Sequence, residues 1–125
     1  MSTELTATHH NTETGPVLAF IGELDAASAP TAFAAIRNLT VRPGRLLVID
    51  LTLLRLCDSS GISALIAARN RTTASDAGIA LVGVSAHLAR IFGLIGLSGV
   101  FPIYPTIEAA HNAWADGAHE PPLHE

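Results

Sequence analysis

The sequence predicts one α/β domain, a mixed β-sheet of about five strands packed with about four α-helices. Three observations carry this. Short apolar runs rich in β-branched residues occur at Val17 to Ile21, Leu46 to Ile49 and Ile79 to Val82, and such runs suit strands buried on both faces. Between them, apolar residues recur at spacings of three and four, the period of a helix resting one face on a core. Of 125 residues, 49% are hydrophobic and 14% charged, which is enough apolar content to bury a core over most of the length.

Each element follows in order. Leu5, Ala7 and His9 alternate with polar residues, as in an edge strand. Asn11 to Gly15 reads as a turn, so this strand and the Val17–Ile21 run form an antiparallel hairpin. Ala29, Phe33, Ile36 and Leu39 mark a first helix, with Ser28 as cap and Pro30 in its first turn. The Leu46–Ile49 strand is followed by a second helix, in which Ile62, Leu65, Ile66, Arg69 and Thr73 share one face and Gly78 is the expected close. After the Ile79–Val82 strand, Leu88, Ile91, Phe92 and Ile95 form the stripe of a third helix, opened by Ser85 and stopped near Gly96. A short strand at Pro102 to Tyr104 and a helix capped by Thr106, burying Ile107, Ala110 and Trp114, complete the chain. Strand–helix–strand units demand right-handed crossovers and parallel neighbours, so only the hairpin is antiparallel. No repeat or linker divides residues 1–116, the single expected domain. Met1 to Thr3 and a flexible tail at 117–125, with its Pro121-Pro122 pair, read as loose ends.

Charge and composition exclude several functions. Seven bases stand against 11 acids, a net charge of -4, and every base is an arginine. Without lysine there is no Schiff-base chemistry and no phosphate-loop lysine. The arginines are scattered from Arg37 to Arg90, so no basic footprint marks a nucleic acid as partner. The apolar stretches are too short to span a membrane, and no basic segment leads into an apolar one at the N-terminus. The lone Cys57 cannot form an intrachain disulfide, which fits a reducing cytoplasm. A serine hydrolase would need a Gly-x-Ser-x-Gly elbow, which is absent. Nucleotide-cradling loops are missing too, so neither an enzyme nor a cofactor is expected. His9-His10 on the edge strand and His119 and His124 in the tail lack metal-site spacing. His87 and His111 read as helix-surface residues, and Cys57 as a small buried hydrophobe.

In open α/β sheets function collects where strands end and helices begin. Two such junctions stand out, Gly22-Glu23-Leu24-Asp25 and Leu56-Cys57-Asp58-Ser59-Ser60-Gly61-Ile62. From the residues alone, Ser59 and Ser60 are good helix caps, Asp25 suits the turn before Ser28, and Asp50 is structural. Opposite the expected core stripe of the second helix lie Ser60, Ala64, Ala67, Ala68 and Arg71. Such small residues admit another surface at close range, although alanine is also simply a good helix former.

These segments, taken in order, resemble the anti-sigma factor antagonists, single-domain proteins of the STAS fold. The resemblance runs from about Val17 to Trp114. It is carried by Gly22-Glu23-Leu24-Asp25, Val48-Ile49-Asp50-Leu51, Asp58-Ser59-Ser60-Gly61, Gly78-Ile79-Ala80-Leu81-Val82 and Ser85 to Phe92, running on to Gly96-Leu97. It implies a partner switch. The unphosphorylated antagonist binds an anti-sigma factor and so frees a sigma factor. The anti-sigma factor is often a serine kinase, which supplies the ATP, and a serine phosphatase reverses the mark. The acceptor is the serine directly after the aspartate of Asp-Ser-Ser-Gly, here Ser59. The resemblance places docking on the helix that begins there and on the Asp25 loop, so Asp25, Asp58, Ser60, Gly61, Ala64, Ala67, Ala68 and Arg71 are the expected partner-binding residues.

A phosphate at a helix start meets free amides and the positive dipole end, so the domain should tolerate it. For a partner it adds a charge of about -1.5 to -2 beside Asp58 and near Asp25. Turning a 99:1 equilibrium into 1:99 requires about 5.5 kcal/mol. A STAS module that binds a nucleotide or lipid is the alternative reading.

Overall fold

The hairpin is present and longer than its apolar pattern suggests. In a computed structural model, which describes residues 4–117, β1 (Leu5–Asn11) pairs antiparallel with β2 (Pro16–Leu24), from Leu5 opposite Gly22 to Asn11 opposite Pro16. Thr12 and Gly15 close the turn through reciprocal backbone bonds of 2.9 and 3.2 Å. Gly15 has a φ of 150°, and a Cβ there would lie 2.1 Å from the Leu46 carbonyl oxygen. Only glycine lets the turn sit this close to the next strand. The ends expected to be loose, Met1 to Thr3 and all of the tail after Gly117, including His119, Pro121-Pro122 and His124, lie outside the described residues.

The remaining elements are α1 (Ala29–Arg37), β3 (Leu46–Asp50), β4 (Leu54–Cys57), α2 (Ser59–Ala74), β5 (Gly78–Val82), α3 (Ala86–Leu94), β6 (Ile103–Tyr104) and α4 (Ile107–Ala115). The sheet order is β1-β2-β3-β5-β6, with β4 paired to β2, and every pairing except the hairpin is parallel. Among the described residues there are thus six strands where about five were expected. The extra one, β4, is four residues long, half-exposed and without a β-branched run, so no periodicity marks it.

Alternating residues of the strands build a core on each face of the sheet. On one face Leu18, Phe20, Leu24, Leu47, Ile49 and Leu81 pack with Ile36 of α1, Leu65 of α2 and Phe92 of α3. On the other, Val17, Val48, Ala80 and Val82 pack with Ala110, Ile107 and Trp114 of α4. Two caps form as expected: the Ser85 hydroxyl accepts from the Leu88 amide and the Thr106 hydroxyl from the Ala109 amide, both at 3.0 Å. Asp50 is structural as expected, accepting from the Thr52 amide at 3.0 Å and hydroxyl at 2.6 Å.

Four local expectations are corrected. Ser28 stands before α1 but does not cap it; its buried hydroxyl donates to the Glu23 carbonyl at 2.7 Å. Helix α2 stops at Ala74 rather than near Gly78, because Asp76 takes a φ of 57° while Asp76 and Ala77 donate to the Thr73 and Thr72 carbonyls. That is a left-handed helix terminator on a non-glycine residue. Ile95, expected in the α3 stripe, is exposed just past the helix end. His111, expected on the surface, is half-buried with its Nε2 atom enclosed and unpartnered.

The largest correction concerns the orientation of α2. Its buried residues are Gly61, Ile62, Ala64, Leu65, Ala68 and Thr72, while Arg69 and Thr73 are exposed. The core-facing stripe is therefore turned by about 100°, one residue step on a 3.6-residue helix, from the expected one. Ala64 and Ala68, expected on an outer docking face, have no exposed surface at all. Small side chains let α2 lie close to the sheet and to α1, so alanine here serves the interior.

Candidate functional site

The two junctions singled out in the sequence meet at one end of the sheet. β2 and β4 run parallel, with Glu23 opposite Leu56 and Leu24 opposite Cys57. The Asp58 amide donates to the Leu24 carbonyl at 3.1 Å, which sets the residue after β2, Asp25, beside the residue after β4, Asp58. Gly22 lets β1 close onto β2 at this same end. It has a φ of 111°, sits where the β2–β4 register shifts, and would bring a Cβ to 2.3 Å from the Glu4 carbonyl oxygen.

Asp58 is the N-cap of α2. Its extended backbone turns the chain into the helix, and its Oδ1 accepts from the Ser60 amide at 2.9 Å and the Gly61 amide at 3.2 Å. Two of the four amides left open at a helix start are thereby taken. Ser59 is the first residue of the helix and is exposed; its carbonyl accepts the Ser63 hydroxyl at 3.1 Å. Ser60 is half-buried.

Gly61 faces inward. A Cβ at this position would lie 2.7 Å from both Cys57 Sγ and Leu24 Cγ and 3.0 Å from the Leu24 carbonyl oxygen. The first turn of α2 is thus pressed onto the ends of β2 and β4. Burial, with the Asp58 carboxylate adjoining it, pushes the Cys57 thiol up to about 11. The thiol is protonated at neutral pH, and Cys57 is half-buried rather than buried as expected.

Asp25 shapes the neighbouring loop. Its Oδ1 accepts from the Ser28 amide at 3.0 Å, and the Ser28 hydroxyl in turn accepts from the Asp25 amide at 3.0 Å. Glu23 adds a third acid at this end and lies 3.6 Å from the exposed Arg55 guanidinium. The result is an exposed serine directly after the cap Asp58, on a helix start packed against the ends of β2 and β4.

A STAS domain family model matches residues 6–110. The chain belongs to the STAS family. An anti-sigma-B factor antagonist of Listeria monocytogenes is 34% identical over 82 residues, covering 66% of this chain and 72% of that protein. A solved structure of an anti-sigma factor antagonist from Mycobacterium paratuberculosis is 30% identical, with a TM-score of 0.78 over 90% of this chain and 96% of that one. The phosphorylated form of the Bacillus cell fate determinant SpoIIAA shares the fold at 20% identity, with a TM-score of 0.61 over 89% of this chain and 97% of that one.

Within this STAS domain the expected docking residues separate into two groups. Asp25, Asp58, Ser59 and Ser60 gather at the helix start. Gly61, Ala64 and Ala68 lie in the interior. Ala67 is half-buried in a shallow groove between α1 and α2, lined also by Phe33, Arg37 and Asn70. Arg71 is committed to the fold, since its guanidinium donates to the Leu39 carbonyl at 2.5 Å.

The exposed face of α2 descends instead from Ser59 through Ser63 to Asn70 and Ala74, and of these positions only Ser59 is expected from the sequence. A separate cleft of about 240 Å³, lined by Leu46, Arg69, Tyr104 and Trp114 among others, shares no residue with this site. Among the described residues no helix is long and apolar enough to cross a membrane, and no group of three or more His, Cys, Asp or Glu is placed to hold a metal ion.

Proposed function

We propose that this STAS domain is an anti-sigma factor antagonist whose partner binding is switched by phosphorylation of Ser59. The observation that carries the reading is the placement of Ser59: exposed, first in α2, and next to a cap aspartate that is held against the Asp25 loop. The similarity to anti-sigma factor antagonists of Listeria and Mycobacterium supports the partner class. A hydroxyl so exposed can enter a kinase active site without any change in the core. The kinase in this reading is the anti-sigma factor itself, a serine phosphatase restores the hydroxyl, and the exchange takes place in the cytoplasm. The domain binds no cofactor and catalyses no reaction of its own.

The helix cap sharpens how the switch works. A phosphate on Ser59 would normally be neutralised by the amides of the helix start, but Asp58 already occupies those of Ser60 and Gly61. The added charge of about -1.5 to -2 therefore projects outward beside existing carboxylates. A partner that buries this end of the domain meets a like-charge cluster, and such juxtaposition costs several kcal/mol in an interface.

Intact-mass measurement after incubation with candidate anti-sigma kinases and Mg-ATP tests the assignment. One added phosphate is expected on the native chain and none on Ser59→Ala. The phosphorylated form is expected to lose its anti-sigma partner, and a phosphate mapped to Ser60 would overturn the site. Equal affinity of the two forms for the anti-sigma factor would overturn the switch.

A further inference from the structure

We infer that β1 is the contact surface of a symmetric homodimer, in which two copies join their sheets edge to edge about a two-fold axis at Thr8. The sheet ends on one side at β1 and on the other at β6. β6 has two residues, and β4, the strand outside the main path, has four and an irregular register. Short or bulged edges of this kind resist adding another strand. β1 has seven residues in unbroken register with β2, and its sequence, Leu-Thr-Ala-Thr-His-His-Asn, contains no proline, lysine, arginine or acid. It carries none of the devices that protect an open edge.

The hairpin geometry states which backbone groups are available. Thr12 and Gly15 exchange hydrogen bonds, and Glu23 donates to Glu4 at the far end. Because bonded and non-bonded pairs alternate along an antiparallel ladder, Thr6, Thr8 and His10 bond inward to β2. The N–H and C=O groups of Leu5, Ala7, His9 and Asn11 then point outward.

Under a two-fold axis through Thr8, Leu5 of one copy faces Asn11 of the other and Ala7 faces His9. All four outward residues of each copy are matched, giving about eight main-chain hydrogen bonds, two for each of four pairs. Sliding the register by two residues leaves an end pair unmet. Across the seam Thr8 meets Thr8 and Thr6 meets His10, with no like charges opposed. At each end Glu4 of one copy comes to the turn of the other, where the Arg45 guanidinium donates to the Glu13 carbonyl and supplies a cation for the two acids. The occupant that matches this edge by hydrogen-bond register and by charge is a second copy of the same strand.

The register makes the test specific. Thr8 residues facing each other as a non-bonded pair have Cα atoms about 4.5 Å apart, within the range a disulfide spans, ~4.4–6.8 Å. Thr6 residues are about 14 Å apart. In the full chain, Thr8→Cys is expected to give a covalent dimer under mild oxidation, while Thr6→Cys and the native chain, which keeps Cys57, give none. Light scattering coupled to size exclusion is expected to show a concentration-dependent dimer for the native chain. Thr8→Glu, which sets two carboxylates on the axis, is expected to raise the dimer dissociation constant at least tenfold, with an unchanged thermal melt at dilutions where both chains are monomeric. A native chain that stays monomeric to high micromolar concentration, equal cross-linking at positions 6 and 8, or a Thr8→Glu variant that dimerises as before would each overturn the inference.

Discussion

The amide of Asp58 donates to the carbonyl of Leu24 at 3.1 Å, tying the start of α2 to the end of β2. Through this bond two loops that are 33 positions apart in the chain act as one surface. The bond depends on Gly61, whose missing side chain leaves room for Leu24 and Cys57 against the helix.

Gly61→Ala should therefore destabilise the protein even though alanine favours helices. The added methyl must displace Cys57 Sγ, Leu24 Cγ or the Leu24 carbonyl. Overpacking costs about 1–3 kcal/mol, against about 1 kcal/mol recovered from helix propensity. Denaturant titration should show a net loss, and anti-sigma affinity should fall with it. A stabilised variant would contradict the close packing.

Asp58→Ala removes the acceptor for two amides and should cost about 1 kcal/mol, up to about 2. Asp58→Asn keeps an oxygen at the cap and should cost less. If chemical denaturation finds the alanine variant as stable as the parent, Asp58 is not the cap that organises α2.

The turned helix separates two alanines that the sequence treats alike. Ala64→Glu would bury a carboxylate in the core and should prevent folding at ambient temperature, as read by circular dichroism. Ala67→Glu should fold with a near-native melt. It should weaken anti-sigma binding if the partner reaches down the α1–α2 groove, and unchanged affinity would confine docking to the helix start.

Cys57 gives a pH signature. Its thiol titrates from 9.0 in a free chain to about 11 in the fold. The folded state thus keeps a proton that the unfolded chain sheds above pH 9. The corresponding stability is complete below pH 9 and is lost as the pH rises through about 11. Cys57→Ala should remove this part of the alkaline slope in denaturant titrations run side by side. Rapid reaction of native Cys57 with a disulfide reagent at pH 8 would contradict a half-buried, protonated thiol.

Ser59→Asp should fold well, with its carboxylate at a positive helix end, and bind the anti-sigma factor more weakly than the parent. Its single charge should produce a smaller loss than the phosphate does. Calorimetric titration of the three forms against one partner should rank them in that order, and an aspartate form weaker than the phosphorylated one would contradict a charge mechanism.

What the sequence made legible follows the strength of local signals. The long apolar strands, the caps Ser85 and Thr106, and the Asp58-Ser59 helix start all carry their signal in a few adjacent residues, and each sits where expected. β4 was missed because an edge strand of four half-exposed residues has no pattern of its own; its pairing comes from β2. The buried face of α2 differs from the expected one because alanine counts for little in an apolar stripe. The core selects it for size, and the contacts of Ala64 and Ala68 with distant elements decide which way the helix turns. Arg71 looked available to a partner, yet a carbonyl 32 positions away holds it.

β4 leans on β2 alone and leads directly into the first turn of α2. β3 is flanked by β2 and β5 and buried from Leu46 to Ile49. Local opening follows such differences, since a strand with one neighbour is released at a lower free energy than one held from both sides. Amide hydrogen exchange at Leu56 and Asp58 should accordingly run faster than at Leu47 to Ile49 under native conditions. Ser59 thus stands directly after a strand held on one side, so in the proposed switch an enzyme acting on it can disturb β4 while the central strands stay shut.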